Sequence, residues 1–206
     1  MVNRCCLERY DAGDGLLVLI EIRWHGRGGQ GVVTGSNLLA RAAIIEGNYA
    51  QHFPEFGPER AGAPVRSYTR ISDEPIDIHC GIYEPDIVVI IDPVMSKTPE
   101  DYAYGLKKGG DLVLNLPPDN SEKVAKWARE NGYKLHVVDA RKISLEETGG
   151  REIYNVPMLS ALLRVKRLAS LETLEKVLAE RFSGKVLEMN LKLSRRCYEE
   201  VKTIVG

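Results

Sequence analysis

The sequence predicts an α/β protein: an open, mostly parallel sheet with helices on both faces and a helical C-terminal extension. Three observations predict it. An apolar run, Leu16–Ile20, leads into the glycine-rich stretch Gly26-Arg-Gly-Gly-Gln-Gly31. Beyond it Gly35, Leu38, Leu39, Ala42 and Ile45 recur at the spacing of one helical face. Strand, glycine turn and helix are the opening of a βαβ unit. The run Asp86–Asp92 is continuously apolar between polar ends, the pattern of a strand covered on both faces, and Asp111–Leu116, ended by Pro117-Pro118, reads as another buried strand. After residue 155 only helical periodicity remains, so helices close the chain.

Taken in order, Gly47-Asn48 ends the first helix, because glycine readily adopts the left-handed conformation of a helix terminus. Tyr49–Phe53 reads as a second strand. Pro54–Pro64 is a long Gly- and Pro-rich connection carrying Glu55, Glu59 and Arg60, and loops of that length are often functional. Val65–Ile71 alternates as a strand. Asp73-Glu-Pro75 then turns it into a hairpin partner, Ile76–Cys80, an insertion that would make the sheet mixed. Pro99–Lys108 reads as a short helix closed by Gly109-Gly110. Ser121 is placed to cap a helix with Val124, Trp127 and Ala128 inward, and Gly132 stops it. Tyr133–Asp139 is a further strand. Asn155–Leu168, Leu171–Phe182 and Lys185–Val205 follow as helices, the last with Leu187, Leu191, Ser194, Tyr198 and Val201 on one face.

Composition bounds the rest. With 206 residues, 44% of them hydrophobic and 28% charged, the chain can build a proper core. A formal charge of −1 argues against a nucleic-acid partner, which calls for a basic face. No apolar run approaches the roughly 20 residues that span a bilayer. Residues 1–15 lack the apolar segment of a secretory signal and read as an N-terminal tail, so the expected location is cytoplasmic. Cys5, Cys6, Cys80 and Cys197 include no C-x-x-C pair, and His25, His52, His79 and His136 show no metal-ligand spacing. No metal is expected on this chain.

The glycine stretch is the feature with chemistry in it. Gly26, Gly28, Gly29 and Gly31 leave no Cβ in the way of an approaching group, and the helix that follows points unpaired N–H groups and its positive dipole end into the same space. An anion, typically a phosphate, is stabilised there. The run nearly fits the Rossmann dinucleotide fingerprint, but the acid expected about 20 positions on is missing, the first being Glu55 behind Pro54. A nicotinamide or flavin site, a purely structural turn and a site for another phosphate-bearing ligand all remain open. Gly13-Asp-Gly15 begins like a thiamine diphosphate motif, but Asn37 lies too close and inside a helix, so the match is accidental. There is no Gly-x-Ser-x-Gly elbow and no P-loop lysine. Asp92 ends a central strand, where open α/β sheets bind ligands, and Arg60 and Arg66 flank the long connection.

Several stretches together resemble the gamma subunit of the pyruvate (2-oxoacid) ferredoxin oxidoreductases, also called pyruvate synthases. They are Gly26-Arg-Gly-Gly-Gln-Gly-Val32; Phe56-Gly-Pro-Glu-Arg60 with Gly62, Val65 and Arg66; Pro85-Asp-Ile-Val-Val89 with Ile91-Asp-Pro93; Gly109-Gly110 with Asn115; and Asn155-Val-Pro-Met-Leu-Ser-Ala161. They fall in the family's order across residues 16 to 205. Ala61 stands where the family often has a second Arg.

The resemblance implies a division of labour. A 2-oxoacid, by default pyruvate, is decarboxylated on thiamine diphosphate with magnesium. Electrons leave through iron–sulfur clusters to ferredoxin, and the acyl group passes to coenzyme A. Thiamine diphosphate and the clusters belong to the alpha, beta and delta partners of a heterotetramer, and this chain binds no cofactor alone. Residues 16–206 would be a single gamma domain with 155–206 as its helical cap, lying beside the active site and closing over coenzyme A. The expected contacts are Gly26, Gly28, Gly29, Gln30, Gly31 and Arg60, with no catalytic residue and no metal ligand. A stand-alone nucleotide-binding oxidoreductase and a purely structural subunit are the competing readings.

Overall fold

The computed structural model describes residues 19–55 and 62–206. In chain order the elements are β1 (Ile20–Arg27), α1 (Val32–Ile45), β2 (Tyr49–Glu55), β3 (Pro64–Ser72), β4 (Ile87–Ile90), β5 (Asp111–Asn115), α2 (Glu122–Asn131), β6 (Lys134–Val138), α3 (Ala140–Thr148), α4 (Asn155–Val165), α5 (Leu171–Arg181), α6 (Gly184–Glu200) and β7 (Lys202–Val205). One seven-stranded sheet runs in the order β2-β3-β1-β4-β5-β6-β7. β1, β4, β5 and β6 are parallel. β3 is antiparallel to both β1 and β2, so β2 points with β1, and β7 is antiparallel to β6. The sheet is mostly parallel and mixed at both edges.

Every residue of β4 and β5 is buried because helices or loops cover both faces of the sheet centre. Ile87 and Val89 face a core shared with α1, α4, α5 and α6, which contains Trp24, Leu38, Leu39, Leu159, Leu162, Leu178 and Leu193. Val88 and Ile90 face the other core, with Leu112, Leu114, Ala125, Ala128, Leu135 and Val137. Each such aliphatic side chain contributes roughly 1.5–3 kcal/mol by leaving water.

Several expectations shift. The first strand lies later than the apolar run, running through Arg27 and carrying Gly26 within it, while residues 16–18 fall outside the described residues. Apolar continuity misplaced it: β1 puts Ile20, Ile22 and Trp24 on the α1 side, alternating with polar residues, and buries Arg23 and His25 on the other. α1 ends as expected, with Gly47 at φ +89° and the Asn48 and Gly47 N–H groups donating to the Ala43 and Ile44 carbonyls. Ile45, however, is exposed.

Ile76–Cys80 is not a strand, because β1 and β2 already occupy both edges of β3. Side chains hold the segment instead: Gln51 Nε2 donates to the Ile76 carbonyl, and the Arg70 guanidinium to those of Ile78, Cys80 and Gly81. Pro99–Lys108 forms no α-helix. A short 3₁₀ turn at Pro99–Asp101 stands there, preceded by another at Met95–Lys97, and Arg23 Nη2 donates to the carbonyls of Tyr102 (2.9 Å) and Tyr104 (2.5 Å) that a helix would have used.

Ser121 precedes α2 but its hydroxyl donates back to the Pro118 carbonyl rather than capping the helix. α3 has no counterpart among the expected elements; Asp139 caps it by accepting from the Lys142 N–H at 2.9 Å. The last helix stops at Glu200, and residues 202–205 return to the sheet as β7. Its buried face is Asn190, Leu193, Ser194 and Cys197, with Leu187, Leu191, Tyr198 and Val201 only partly covered.

Candidate functional site: the glycine turn and its surroundings

The glycine turn stands at the carboxyl end of β1, beside the end of β4. Each glycine there has its own reason. A Cβ on Gly26 would come within 2.6 Å of Ile91 and 2.7 Å of Val32, so this position lets strand and helix close together. Gly28 is stitched to the base of the neighbouring connection: its N–H donates to the Ala63 carbonyl at 2.8 Å and its carbonyl accepts from the Gly62 N–H at 3.3 Å. Gly31, at φ +80°, precedes α1, and a Cβ there would meet the Asn155 carboxamide at 2.6 Å. Gly29 is different. It has φ +93°, and a Cβ there would find nothing within 4 Å.

Around Gly29 the chemistry favours negative charge. No side chain caps the N-terminus of α1, and no acidic residue occupies its first turn, so its leading N–H groups remain available to an anion. Arg27, with about two-fifths of its side chain exposed, donates to the Gly62 carbonyl at 3.2 Å and lies 3.5 Å from Asp92. Asp92 itself is buried. Its Oδ1 accepts from the N–H groups of Val94 (3.0 Å) and Met95 (2.8 Å), and its Oδ2 from Gln30 Nε2 at 2.6 Å. Gln30 Oε1 in turn accepts from the Arg27 N–H at 2.8 Å.

Gly26, Gly28, Gly29, Gln30 and Gly31 therefore share one place, with Asp92 beneath them. They do not share one role: Gln30 spends its carboxamide on the protein, and Gly29 is the position open to an incoming group. Arg60 lies outside the described residues. Sequence reasoning misses Arg27 and Asn155 as members of the site. Arg27 lies within the motif itself; Asn155 opens a stretch that carries the family resemblance, but nothing local ties that stretch, far along the chain, to the glycine turn.

A second polar cluster lies behind β1. Arg23 Nε donates to His25 Nε2 at 3.0 Å, and the His25 ring packs 5.4 Å from Tyr102. Burial, then the neighbouring charges of Arg23 and Arg66, push the His25 imidazole down to about 3, so it is neutral at physiological pH. Arg66 is turned to Glu55 at 2.6 Å and to the Tyr104 hydroxyl at 2.5 Å, while the Tyr68 hydroxyl donates to the second Glu55 oxygen. At the opposite end of the sheet, Asp111 accepts from Lys166 Nζ at 2.8 Å and bonds His136 Nε2 at 2.9 Å. His136 Nδ1 meets the Thr203 hydroxyl. Burial alone would raise the Asp111 carboxyl, but these partners outweigh it and hold it below its ordinary value.

Among the described residues no three His, Cys, Asp or Glu side chains gather as a metal site. No helix among them is long and apolar enough to cross a membrane.

Comparison with known proteins shows the family. Residues 21–200 match the family model described as pyruvate ferredoxin/flavodoxin oxidoreductase. The chain is 45% identical over 184 residues to the pyruvate/ketoisovalerate oxidoreductases common subunit gamma of Pyrococcus abyssi, covering 89% of this chain and 98% of that one. It is 42% identical over 186 residues to pyruvate synthase subunit PorC of Methanothermobacter thermautotrophicus, covering 90% and 98%. The crystal structure of the pyruvate oxidoreductase subunit PORC of Thermotoga maritima superposes with a TM-score of 0.75 at 40% identity, covering 90% of this chain and 98% of that one. The chain belongs to the pyruvate ferredoxin/flavodoxin oxidoreductase family, and along nearly its whole length it matches that family's gamma subunits.

Proposed function

We propose that this chain is the gamma subunit of a heteromeric 2-oxoacid:ferredoxin oxidoreductase, with pyruvate as the acid, and that its glycine turn helps enclose coenzyme A. Residues 16–206 act as one domain, its helical cap reduced to residues 155–200 because 202–205 rejoin the sheet as β7, in the cytoplasm, beside alpha, beta and delta partners. Those partners carry thiamine diphosphate, magnesium and the iron–sulfur clusters and pass electrons to ferredoxin. This chain's own contribution is to bind and orient: Gly29 leaves room for the ligand's phosphates, Gly26, Gly28, Gln30 and Gly31 shape the turn around it, the α1 N–H groups and Arg27 offset the phosphate charge, and Arg60 would join from the adjoining connection.

The observation that carries this reading is Gly29. Its backbone is left-handed and its Cβ side faces open space, beside a helix start with no cap and no acid. The competing dinucleotide reading is weakened by topology. In a dinucleotide-binding sheet the second strand lies next to the first and ends in the ribose-binding acid. Here antiparallel β3 separates β2 from β1, and the acid ending β2, Glu55, is already engaged by Arg66 and Tyr68.

The test is Gly29→Asn, which tolerates positive φ while adding bulk, measured in the purified complex. The half-saturating concentration of coenzyme A should rise about tenfold while that of the oxoacid holds. An unchanged coenzyme A constant overturns the assignment of the turn. Tagging the chain in its native host tests the assembly: thiamine- and cluster-bearing subunits should co-purify in a complex that reduces ferredoxin with an oxoacid and coenzyme A. A stable, colourless oligomer of this chain alone would point back to a stand-alone protein.

A further inference from the structure

We propose that Asp92 is the positioning residue of the glycine turn: from the end of β4 it holds the Gln30 carboxamide, and through it the shape the turn presents to its ligand. The ligand's identity rests on the reading above; the mechanics do not.

A turn containing Gly28, Gly29 and Gly31 has unusual backbone freedom, so something outside it must select one shape. Asp92 is 3% exposed and lies two residues past the end of β4, a strand buried along its whole length. One carboxylate oxygen is fixed by two main-chain N–H groups, those of Val94 and Met95. The other accepts from Gln30 Nε2 at 2.6 Å. Gln30 Oε1 then accepts from the Arg27 N–H at 2.8 Å, where β1 gives way to the turn. The relay has a direction: acceptor at Asp92, donor then acceptor on Gln30, donor at Arg27. Reversing the Gln30 amide would set oxygen against carboxylate and nitrogen against N–H, so the strut has one orientation. Gly28 is also tied to Gly62 and Ala63, so the strut governs the base of the adjoining connection as well.

The direction of the relay makes the proposal testable with nearly isosteric changes. In Asp92→Asn the remaining oxygen stays with the Val94 and Met95 N–H groups, leaving an NH₂ facing the Gln30 NH₂. Two donors meet, or Gln30 turns and abandons Arg27. Adding Gln30→Glu reverses the polarity of the contact. The introduced asparagine then donates and the introduced glutamate accepts, while the second glutamate oxygen still accepts from the Arg27 N–H. The negative charge moves by one hydrogen bond and is not lost, so Arg27 keeps a carboxylate partner nearby.

The experiment is hydrogen exchange of the Gly26–Gly31 amides in the assembled complex, with coenzyme A and oxoacid half-saturation measured on the same preparations. Asp92→Asn should speed exchange in the turn about tenfold, and Asp92→Asn/Gln30→Glu should bring it back to within about threefold of the parent. Gln30→Leu, which leaves the Asp92 bonds to Val94 and Met95 untouched, should reproduce the single-variant effect even where Asp92→Asn assembles poorly. Unchanged exchange in Asp92→Asn and Gln30→Leu overturns the proposal, as does a double variant that fails to recover, since a merely structural carboxylate gives no reciprocal rescue. If exchange follows the expected pattern but coenzyme A half-saturation stays flat, the positioning role stands and the coenzyme A reading falls. If Gly29→Asn raises coenzyme A half-saturation while the Asp92 and Gln30 variants leave exchange unchanged, the reverse holds.

Discussion

The Asn155 carboxamide sits where a side chain on Gly31 would have to go: a Cβ on Gly31 would lie 2.6 Å from Asn155 Nδ2. The starts of α1 and α4 are thereby packed against each other; a Cβ on Gly35, one turn on, would only make ordinary contact with the Asn155 carbonyl oxygen at 3.5 Å. The missing side chain at Gly31 is what lets Asn155 come this close.

That contact separates two glycines that look alike in sequence. Gly29→Ala should cost about 1 kcal/mol, the strain of a left-handed backbone alone. Gly31→Ala should cost about 3 kcal/mol, because the same strain is joined by collision with Asn155. Urea unfolding measures both. Adding Asn155→Ala to Gly31→Ala should recover only the steric part, and equal costs for the two glycine variants would contradict the packing described.

His25 predicts a pH dependence with a definite sign. Its folded value of about 3 lies below its ordinary value of 6.5, so between those values the unfolded chain binds a proton that the folded chain refuses. Stability from this group is complete above about pH 6.5 and falls by about 1.4 kcal/mol per unit as pH drops below it. His25→Gln removes the ring nitrogen that accepts from Arg23 Nε and should be less stable than the parent at pH 7; because glutamine does not titrate, the gap should narrow steadily toward about pH 5 in denaturant titrations. A constant gap would mean that the folded chain binds the proton as readily as the unfolded one.

Arg70 is 1% exposed and pairs with Glu21 at 2.9 Å while holding the carbonyls of Ile78, Cys80 and Gly81. Arg70→Leu removes one member of a largely buried pair and orphans those carbonyls, at a cost of about 3 kcal/mol. Limited proteolysis should show residues 76–81 cut first, because side chains and not a strand ladder hold them.

Lys166→Met removes one of the two cationic or hydrogen-bonding partners that depress the buried Asp111 carboxyl. Asp111 contributes its stability above its ordinary carboxylate range and loses it as pH falls through the folded value. The variant should therefore begin acid unfolding at a higher pH than the parent. Carboxyl chemical shifts against pH would show the Asp111 titration moving upward; no movement would mean that Lys166 does not act on it.

How much was legible is clear from particular residues. Ile87–Ile90 and Leu112–Leu114 are apolar without interruption, so their burial on both faces could be read directly. Gly47 after α1 and Gly132 after α2 mark helix ends by backbone freedom, a local property. Arg23, His25 and Arg70 misled for the opposite reason: they are charged or polar in type yet buried, because carbonyls and ring nitrogens from other segments satisfy them. The same bonds replaced the expected helix at Pro99–Lys108 and the expected strand at Ile76–Cys80.

The sequence by itself determined the α/β class, the parallel centre of the sheet, the glycine turn at the end of its first strand, and the family. These depend on periodicity, on glycine's backbone and on motif order, all written within short stretches of chain. Only the tertiary structure decided that β3 separates β2 from β1, that Asn155 closes on Gly31, and that Asp92 orients Gln30. Each of those joins segments far apart in the chain, and which partner a strand edge or a carboxylate finds is settled by the competition of all such contacts in the packed chain.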